Sequence, residues 1–138
     1  MKKIFLGGTC NNDSWREELV IPVLQELGFD FFNPVVEDWT EDCIVIEEKE
    51  KKEAFCNLFV ITSNMKGVYS IAEAVYLACK SNQTTAFIVV DDGFDEGELK
   101  SLKAVMSLIE EDALVNITNR DSLPEVIKKL VEILNEEN

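Results

Sequence analysis

Short apolar runs alternate along the chain with longer segments whose apolar residues recur every three or four positions. The short runs predict buried strands, and the longer periodic segments predict helices. Strands are predicted over 4–6, 29–32, 58–62, 86–90 and 114–117. Because strands and helices alternate, we predict a parallel sheet whose crossovers are right-handed and whose two faces are both covered. The expected architecture is an α/β three-layer sandwich with strand order 2-1-3-4-5, formed by one domain of residues 1–138.

Two of the predicted helices have features that bear on their ends and on their packing. Ser14 and Glu17 have the spacing of a capping box, in which a hydroxyl and a carboxylate cap the first helical turn, and Pro22 predicts a kink in the same helix. The predicted helix over 41–55 is rich in Glu and Lys and has little apolar content in its middle. It either covers the sheet weakly or faces a partner subunit.

Composition narrows the classes of partner. The 138 residues include 46% hydrophobic residues, as expected of a globular protein, and carry a net charge of −14 from 27 acidic and 13 basic residues. Such a surface repels phosphate backbones and anionic lipids, so we expect neither a nucleic-acid nor a membrane partner. No run of about 18 apolar residues is present, which agrees with that expectation. A nucleoside or another weakly charged small molecule remains a possible ligand.

The chain has no histidine, and its four cysteines are widely spaced, at Cys10, Cys43, Cys56 and Cys79. We therefore expect no metal site and no catalytic triad that needs an imidazole. The pattern favours reduced thiols in a cytoplasmic protein. The first loop lacks the glycine spacing of a dinucleotide site and the lysine of a phosphate-binding loop, so no cofactor is predicted.

Two loop features are candidates for ligand binding. Gly7 and Gly8 follow the first predicted strand, and they either allow a ligand close to the backbone or only form a tight turn. Trp39 lies outside the periodic segments, where its ring could stack on a planar base. Trp15, by contrast, is expected to pack against the apolar stripe of its helix.

Glu73 follows the third predicted strand and a short loop that contains Gly67. In open α/β sheets the ligand crevice lies beyond the carboxyl ends of the strands, so this carboxylate is a candidate for chemistry. Ser70 and Glu73 also have the spacing of a capping box, and spacing alone favours a role in capping their own helix.

Several ordered motifs resemble the nucleoside 2-deoxyribosyltransferase family, and the best match is its small branch of bacterial and phage proteins. These motifs are Ile-Phe-Leu-Gly-Gly-Thr at 4–9, Phe-Asn-Pro at 32–34, and the segment that runs from 67 to 74. The resemblance covers roughly residues 3–90. It implies a flavodoxin-like fold and a glutamate nucleophile that attacks the anomeric carbon, releases the base and passes the sugar to another base or to water.

Glu73 stands at the position of that nucleophile, which favours the catalytic interpretation over capping. The resemblance implies a nucleoside or nucleotide substrate and a homo-oligomer whose sites are shared between subunits. The substrate-binding residues that we predict are Phe5, Gly7, Gly8, Thr9, Asn33, Trp39, Met65, Gly67, Tyr69 and Ser70.

Three acidic or hydroxyl groups that the family usually provides are absent. Phe5 replaces a tyrosine, the loop over 65–70 has no aspartate, and Asn57 replaces an aspartate. Of the glutamates before the third strand, Glu48 is our candidate for protonating the departing base. The leading hypothesis is an N-glycosidase or deoxyribosyltransferase. The alternative, which the missing groups favour, is a module that binds a nucleotide-like ligand without turning it over.

Overall fold

Five parallel strands form the sheet in the computed structural model, which describes residues 2–10 and 12–136. The strands are β1 (Lys3–Gly8), β2 (Asp30–Phe32), β3 (Cys56–Ile61), β4 (Thr84–Val90) and β5 (Leu114–Thr118). Their order is β2-β1-β3-β4-β5, so the predicted topology is confirmed. The central strand β3 is buried at every position, as its continuous apolar run predicts.

The helices follow the strands in the order that the pattern predicts. They are α1 (Ile21–Glu26), α2 (Asp42–Glu53), α3 (Tyr69–Lys80), α4 (Glu96–Ile109) and α5 (Leu123–Glu136). Directly before α1 lies a π-helical turn over Arg16–Val20, so the irregularity in this helix precedes Pro22 at the start of α1. Among the described residues, no helix combines the length and the apolar composition needed to cross a membrane.

Each face of the sheet has its own apolar core, which completes the three layers. On one face, side chains such as Leu58 and Ile88 pack with Leu24 of α1 and Ile127 of α5. On the other face, alternate residues of the same strands pack with helices α3 and α4, through Ala74 and Leu102. Successive side chains of a strand point to opposite faces, and this period of two separates the two cores.

Helix α2 differs from the others because it buries none of its residues. Of the two structures predicted for this segment, weak coverage of the sheet is therefore what a single chain shows. Its C-terminal half is held by polar contacts: Lys3 pairs with Glu50 at 3.1 Å, and the Asn57 side-chain amide donates to the Lys51 carbonyl at 3.1 Å. Helix α2 thus lies beside α3 without a packed apolar face.

The predicted capping boxes at Ser14 and Ser70 are wrong. The first helical turn begins after Trp15, whose backbone N–H donates to the Asp13 carboxylate at 3.1 Å, so Asp13 takes the role predicted for Ser14. Helix α3 begins after Val68 with no side-chain cap, and Glu73 lies beyond its first turn. A complete capping box is formed instead by Asp95 and Glu98 at the start of α4.

Candidate functional site

The two glycines at the end of β1 are required by packing. A Cβ on Gly7 would lie 2.7 Å from two carbon atoms of the Phe59 ring. Gly8 has a φ of +107°, and a Cβ there would lie 2.1 Å from the Val60 carbonyl oxygen. The close approach that these glycines permit is therefore to β3, and it brings the first loop against the end of that strand.

The buried Arg16 side chain fixes the backbone of the first loop by hydrogen bonds. The Arg16 guanidinium donates to the carbonyl oxygens of Leu6 at 3.0 Å and of Thr9 at 2.8 Å, and it stacks on the Trp15 ring. The Trp15 indole N–H also donates to the Thr9 carbonyl, at 2.8 Å. Burial lowers the pKa of Arg16, although the neighbouring Cys10 opposes that shift. Trp15 is fully buried, so its predicted structural role is confirmed.

Asp13 ties three loops together at the carboxyl end of the sheet. Its side chain has no exposed surface and accepts hydrogen bonds from the Thr62 hydroxyl at 2.6 Å and the Asn64 amide at 3.0 Å. Arg120, which follows β5, reaches the same carboxylate at 2.9 Å. Burial alone would raise the pKa of Asp13, but hydrogen bonds from Arg120, Thr62 and Asn64 outweigh it, so the pKa lies below its ordinary value.

The loops that Asp13 organises enclose a small cleft of about 120 Å³ at the carboxyl edge of the sheet. Within it, the Ser70 hydroxyl donates to the Gly8 carbonyl at 3.3 Å, so this side chain links helix α3 to the first loop. Six of the predicted substrate-binding residues line this cleft: Gly8, Thr9, Met65, Gly67, Tyr69 and Ser70.

Glu73 does not line that cleft. Its carboxylate forms an ion pair with the Lys51 ammonium, which joins helix α3 to helix α2. The two side chains are 14% and 13% exposed, so the pair is mostly removed from water. The Lys51 ammonium also lies 5.1 Å from the centre of the Phe5 ring, which places the pair above β1. The Phe5 ring is buried and stacks on the partly exposed Phe32 ring, with the ring centres 5.7 Å apart.

A groove of about 990 Å³ lies between helices α2 and α3, and the ion pair forms part of its wall. Aromatic side chains face it from both sides, with Trp39 before α2 and with Tyr69 and Tyr76 on α3. Trp39 is 57% exposed, as a side chain available for stacking should be. Glu48 lines the same groove from α2, so the structure brings both predicted catalytic carboxylates to one concave surface.

The predicted site residues are therefore divided between two neighbouring concavities, and Tyr69 lines both. Gly7 and Phe5 line neither, and both are buried in β1. Asn33 also lines neither, and its side-chain oxygen accepts from the backbone N–H of Val35 at 3.1 Å. Its observed contact is within its own loop.

Three charged residues of this region were not predicted from the sequence, namely Asp13, Arg16 and Lys51. Lys51 lies in a run of Glu and Lys that is typical of a solvent-exposed helix, and its partner is 22 positions away. The partners of Asp13 lie 49, 51 and 107 positions away. Local spacing contains no signal for such contacts. For Arg16, the adjacent Trp15 in an apolar stripe was the available indication of burial.

The described residues offer no group of three or more acidic or cysteine side chains that could hold a metal ion. All four cysteines are free thiols. Of these, Cys56 is fully buried on β3, and burial raises the pKa of its thiol to about 12.

A comparison with protein families gives one match, to the family described as nucleoside 2-deoxyribosyltransferase like, over residues 1–94. No curated protein and no solved structure matches the chain. The family match extends from β1 through β4 and includes both Glu73 and its partner Lys51, whereas Arg120 lies beyond it. Since the match spans 94 of 138 residues, the chain belongs to the nucleoside 2-deoxyribosyltransferase-like family.

Proposed function

We propose that this protein cleaves or exchanges the N-glycosidic bond of a nucleoside or nucleotide, with Glu73 as the nucleophile. The observation that carries the proposal is the position of the Glu73 carboxylate. It is not used to cap its own helix, it is 14% exposed, and it forms part of a groove that aromatic rings also line. The groove's size, about 990 Å³, is at the upper end of the range of small-molecule sites.

The proposed reaction has two steps. A Glu73 oxygen attacks the anomeric carbon while the bond from that carbon to the base nitrogen breaks, and the electron pair of that bond goes to the base. Glu48 supplies the proton that the departing base takes up. Water, which gives hydrolysis, or a second base, which gives transfer, then attacks the anomeric carbon of the resulting glycosyl ester. The bond from that carbon to the Glu73 oxygen breaks, its electron pair restores the carboxylate, and Glu48 takes up the proton that the attacking water or base loses.

The aromatic side chains of the groove suit the planar base of a nucleoside. Trp39 and Tyr76 approach the groove from opposite sides, and their ring faces provide binding area with little polar recognition. Aromatic stacking tolerates several bases, since every base has a π-face. We therefore propose a small-molecule nucleoside or nucleotide as the partner, no nucleic acid, and a cytoplasmic location.

One observation favours a different function, that of a module which binds such a ligand without turnover. Phe5 is fully apolar where the family usually has a tyrosine, so β1 provides no hydroxyl beside the nucleophile. The Glu73 carboxylate is also already paired, with Lys51. A carboxylate paired with an ammonium is a weaker nucleophile than an unpaired one, which favours binding over turnover.

Nucleoside turnover by wild-type protein and by Glu73→Gln distinguishes these two functions. We expect the wild type to release free base from at least one member of a panel of nucleosides and nucleotides, detected by liquid chromatography with mass spectrometry. Glu73→Gln should lower kcat by about 10³-fold or more, because the amide cannot form the ester. Glu48→Gln should lower it by about 10²–10⁴-fold, as expected for loss of a proton donor.

Glu47→Gln is the matched control, since Glu47 lines the groove from the same helix but has no role in the proposed reaction. A 2-fluoro nucleoside analogue that reacts slowly in the second step should add one sugar to the intact mass of the wild type and not of Glu73→Gln. Intact ligand recovered after denaturation, with no free base formed, would instead establish the binding module. Full activity in Glu73→Gln would refute the proposed nucleophile.

A further inference from the structure

The ion pair between Lys51 and Glu73 is the feature of the groove that the proposed reaction does not yet use. Lys51 lies in the last turns of α2, and two contacts besides Glu73 fix it. Its backbone carbonyl accepts from the buried Asn57 amide at 3.1 Å, and its ammonium lies over the Phe5 ring. A cation at such a distance from a ring centre is attracted by the ring face. The ammonium is therefore held at a defined place beside the carboxylate.

The other lysines of the groove are arranged differently. Lys52 and Lys80 line it as well, but both residues are exposed, whereas Lys51 is 13% exposed on its side chain. Charge interactions strengthen as water is excluded, so the Lys51 ammonium exerts the stronger field on the reacting atoms. The Glu73 carboxylate, which is mostly removed from water, would also be unfavourable in its ionised form without such a partner.

The charges in the proposed reaction change in a way that needs this cation. Before reaction the carboxylate is negative and Lys51 neutralises it. When a Glu73 oxygen bonds to the anomeric carbon, the carboxylate becomes a neutral ester. The negative charge then develops on the base, which receives the electron pair of the broken bond. At that moment the Lys51 ammonium has lost its first anionic partner, and an anion is forming in the same groove.

We infer that Lys51 positions Glu73 in the resting enzyme and then stabilises the charge that develops on the departing base. This role rests on the proposed function and adds a residue to it. Preorganised charges aimed at the place where charge develops are among the largest contributions to catalysis. Glu48 still supplies the proton, and once water or a second base has released the sugar, the restored Glu73 carboxylate pairs with Lys51 again.

The test compares Lys51→Met, Lys51→Arg and the control Lys49→Met on 2′-deoxynucleosides whose bases differ in the acidity of the N–H formed on release. Lys49 is exposed on α2 and does not line the groove. We expect Lys51→Met to lower kcat/KM by about 10²–10³-fold for the least acidic bases. The loss should shrink steadily as the base becomes a better leaving group. Lys51→Arg, which keeps the charge, should recover at least about tenfold of that loss, and Lys49→Met should behave as the wild type.

A merely structural role would lower the activity toward every base by the same factor, and that result would overturn the inference while leaving the proposed function intact. Retention of wild-type activity by Lys51→Met would overturn it too. If the wild type itself has no turnover that depends on Glu73, the proposed function fails and the role of Lys51 fails with it. Circular dichroism of each variant and the behaviour of Lys51→Arg separate loss of folding from loss of charge.

Discussion

The conformation of Gly8 is tightly set by its surroundings. Its φ of +107° is unfavourable for any residue with a side chain, and the Val60 backbone fills the space that a Cβ would need. Its carbonyl oxygen accepts from the Ser70 hydroxyl, so this one residue joins β1, β3 and α3. Because Gly8 lines the small cleft, its close contact with β3 also fixes one wall of that cleft.

Gly8→Ala is therefore expected to lower the free energy of unfolding by about 2–4 kcal/mol, through backbone strain and displacement of β3. Urea unfolding of the variant and the wild type measures the change. Gly67→Ala is the matched control, because a Cβ at Gly67 would meet no atom within 4 Å and its φ is not in the left-handed region. That control should change stability by less than about 1 kcal/mol. Equal losses in both variants would contradict the packing argument.

At the residue scale, the sequence predicted the place of Glu73 in the fold better than it predicted the side chains around it. Its place after a buried strand was readable because an apolar run followed by a loop has few alternative structures. The Ser70–Glu73 capping box was wrong because the helix begins after Val68 and the Ser70 hydroxyl bonds to Gly8 instead. Lys51 was missed because its contact with Glu73 depends on how two helices lie across the sheet, which local spacing does not contain.

At the scale of elements, the loops at the carboxyl end of the sheet depend on one carboxylate. Asp13 joins the loop after β1 to the loop after β3 through Thr62 and Asn64, and to the loop after β5 through Arg120. Elements far apart in sequence are thereby held at one edge, with no metal-ligating cluster and no disulfide among the described residues. The small cleft depends on the same contacts.

Asp13→Asn should destabilise the protein at pH 7 by about 1–3 kcal/mol, since charged hydrogen bonds are lost and a buried donor replaces an acceptor. The pKa of Asp13 is lowered on folding, so its contribution is complete above the ordinary aspartate value of about 3.9 and is lost as the pH falls through the folded value. The difference in stability between the variant and the wild type should therefore shrink below about pH 4.

Urea unfolding of both proteins between pH 3 and pH 7 tests this expectation. Asp38→Asn is the control, because Asp38 is exposed in the loop before α2. A difference between Asp13→Asn and the wild type that stays constant with pH would contradict the assigned role of the ionised carboxylate. Comparing variants at each pH removes the general effect of protonating the other acidic residues.

The elements themselves were largely predictable, and their ends were not. Buried parallel strands are continuously apolar, so β3 and β4 were evident. The alternation of elements predicted a parallel sheet, and the strand order chosen for it is confirmed. The first residues of these strands were missed because Asn57 and Thr85 are polar yet fully buried. Their side-chain oxygens have no hydrogen-bond partner among the described residues, which is unusual inside a core. A polar residue at a strand end looks like a loop in sequence.

At the scale of the whole molecule, the apolar surface is unevenly distributed over a chain of net charge −14. Helix α2 buries no residue, yet it exposes three consecutive apolar side chains, Ile44, Val45 and Ile46. Exposed apolar side chains on a helix that buries none of its residues are typical of a protein interface. We expect a second copy of the chain to cover α2, in a homo-oligomer.

Val45→Glu tests this expectation without altering the groove, because Val45 is 69% exposed and does not line it. Light scattering coupled to size-exclusion chromatography should show an oligomer for the wild type and a smaller species for Val45→Glu, since an unpaired charge in an apolar interface is strongly unfavourable. Leu108→Glu, at a residue that is 72% exposed on α4, adds the same charge elsewhere and should leave the mass unchanged. A monomeric wild type would refute the interface. Helix α2 also carries Lys51 and Glu48, so a second copy that covers this helix also supports the groove. Val45→Glu should therefore lower the activity together with the molecular mass, and the activity that remains measures how far the groove depends on the second copy.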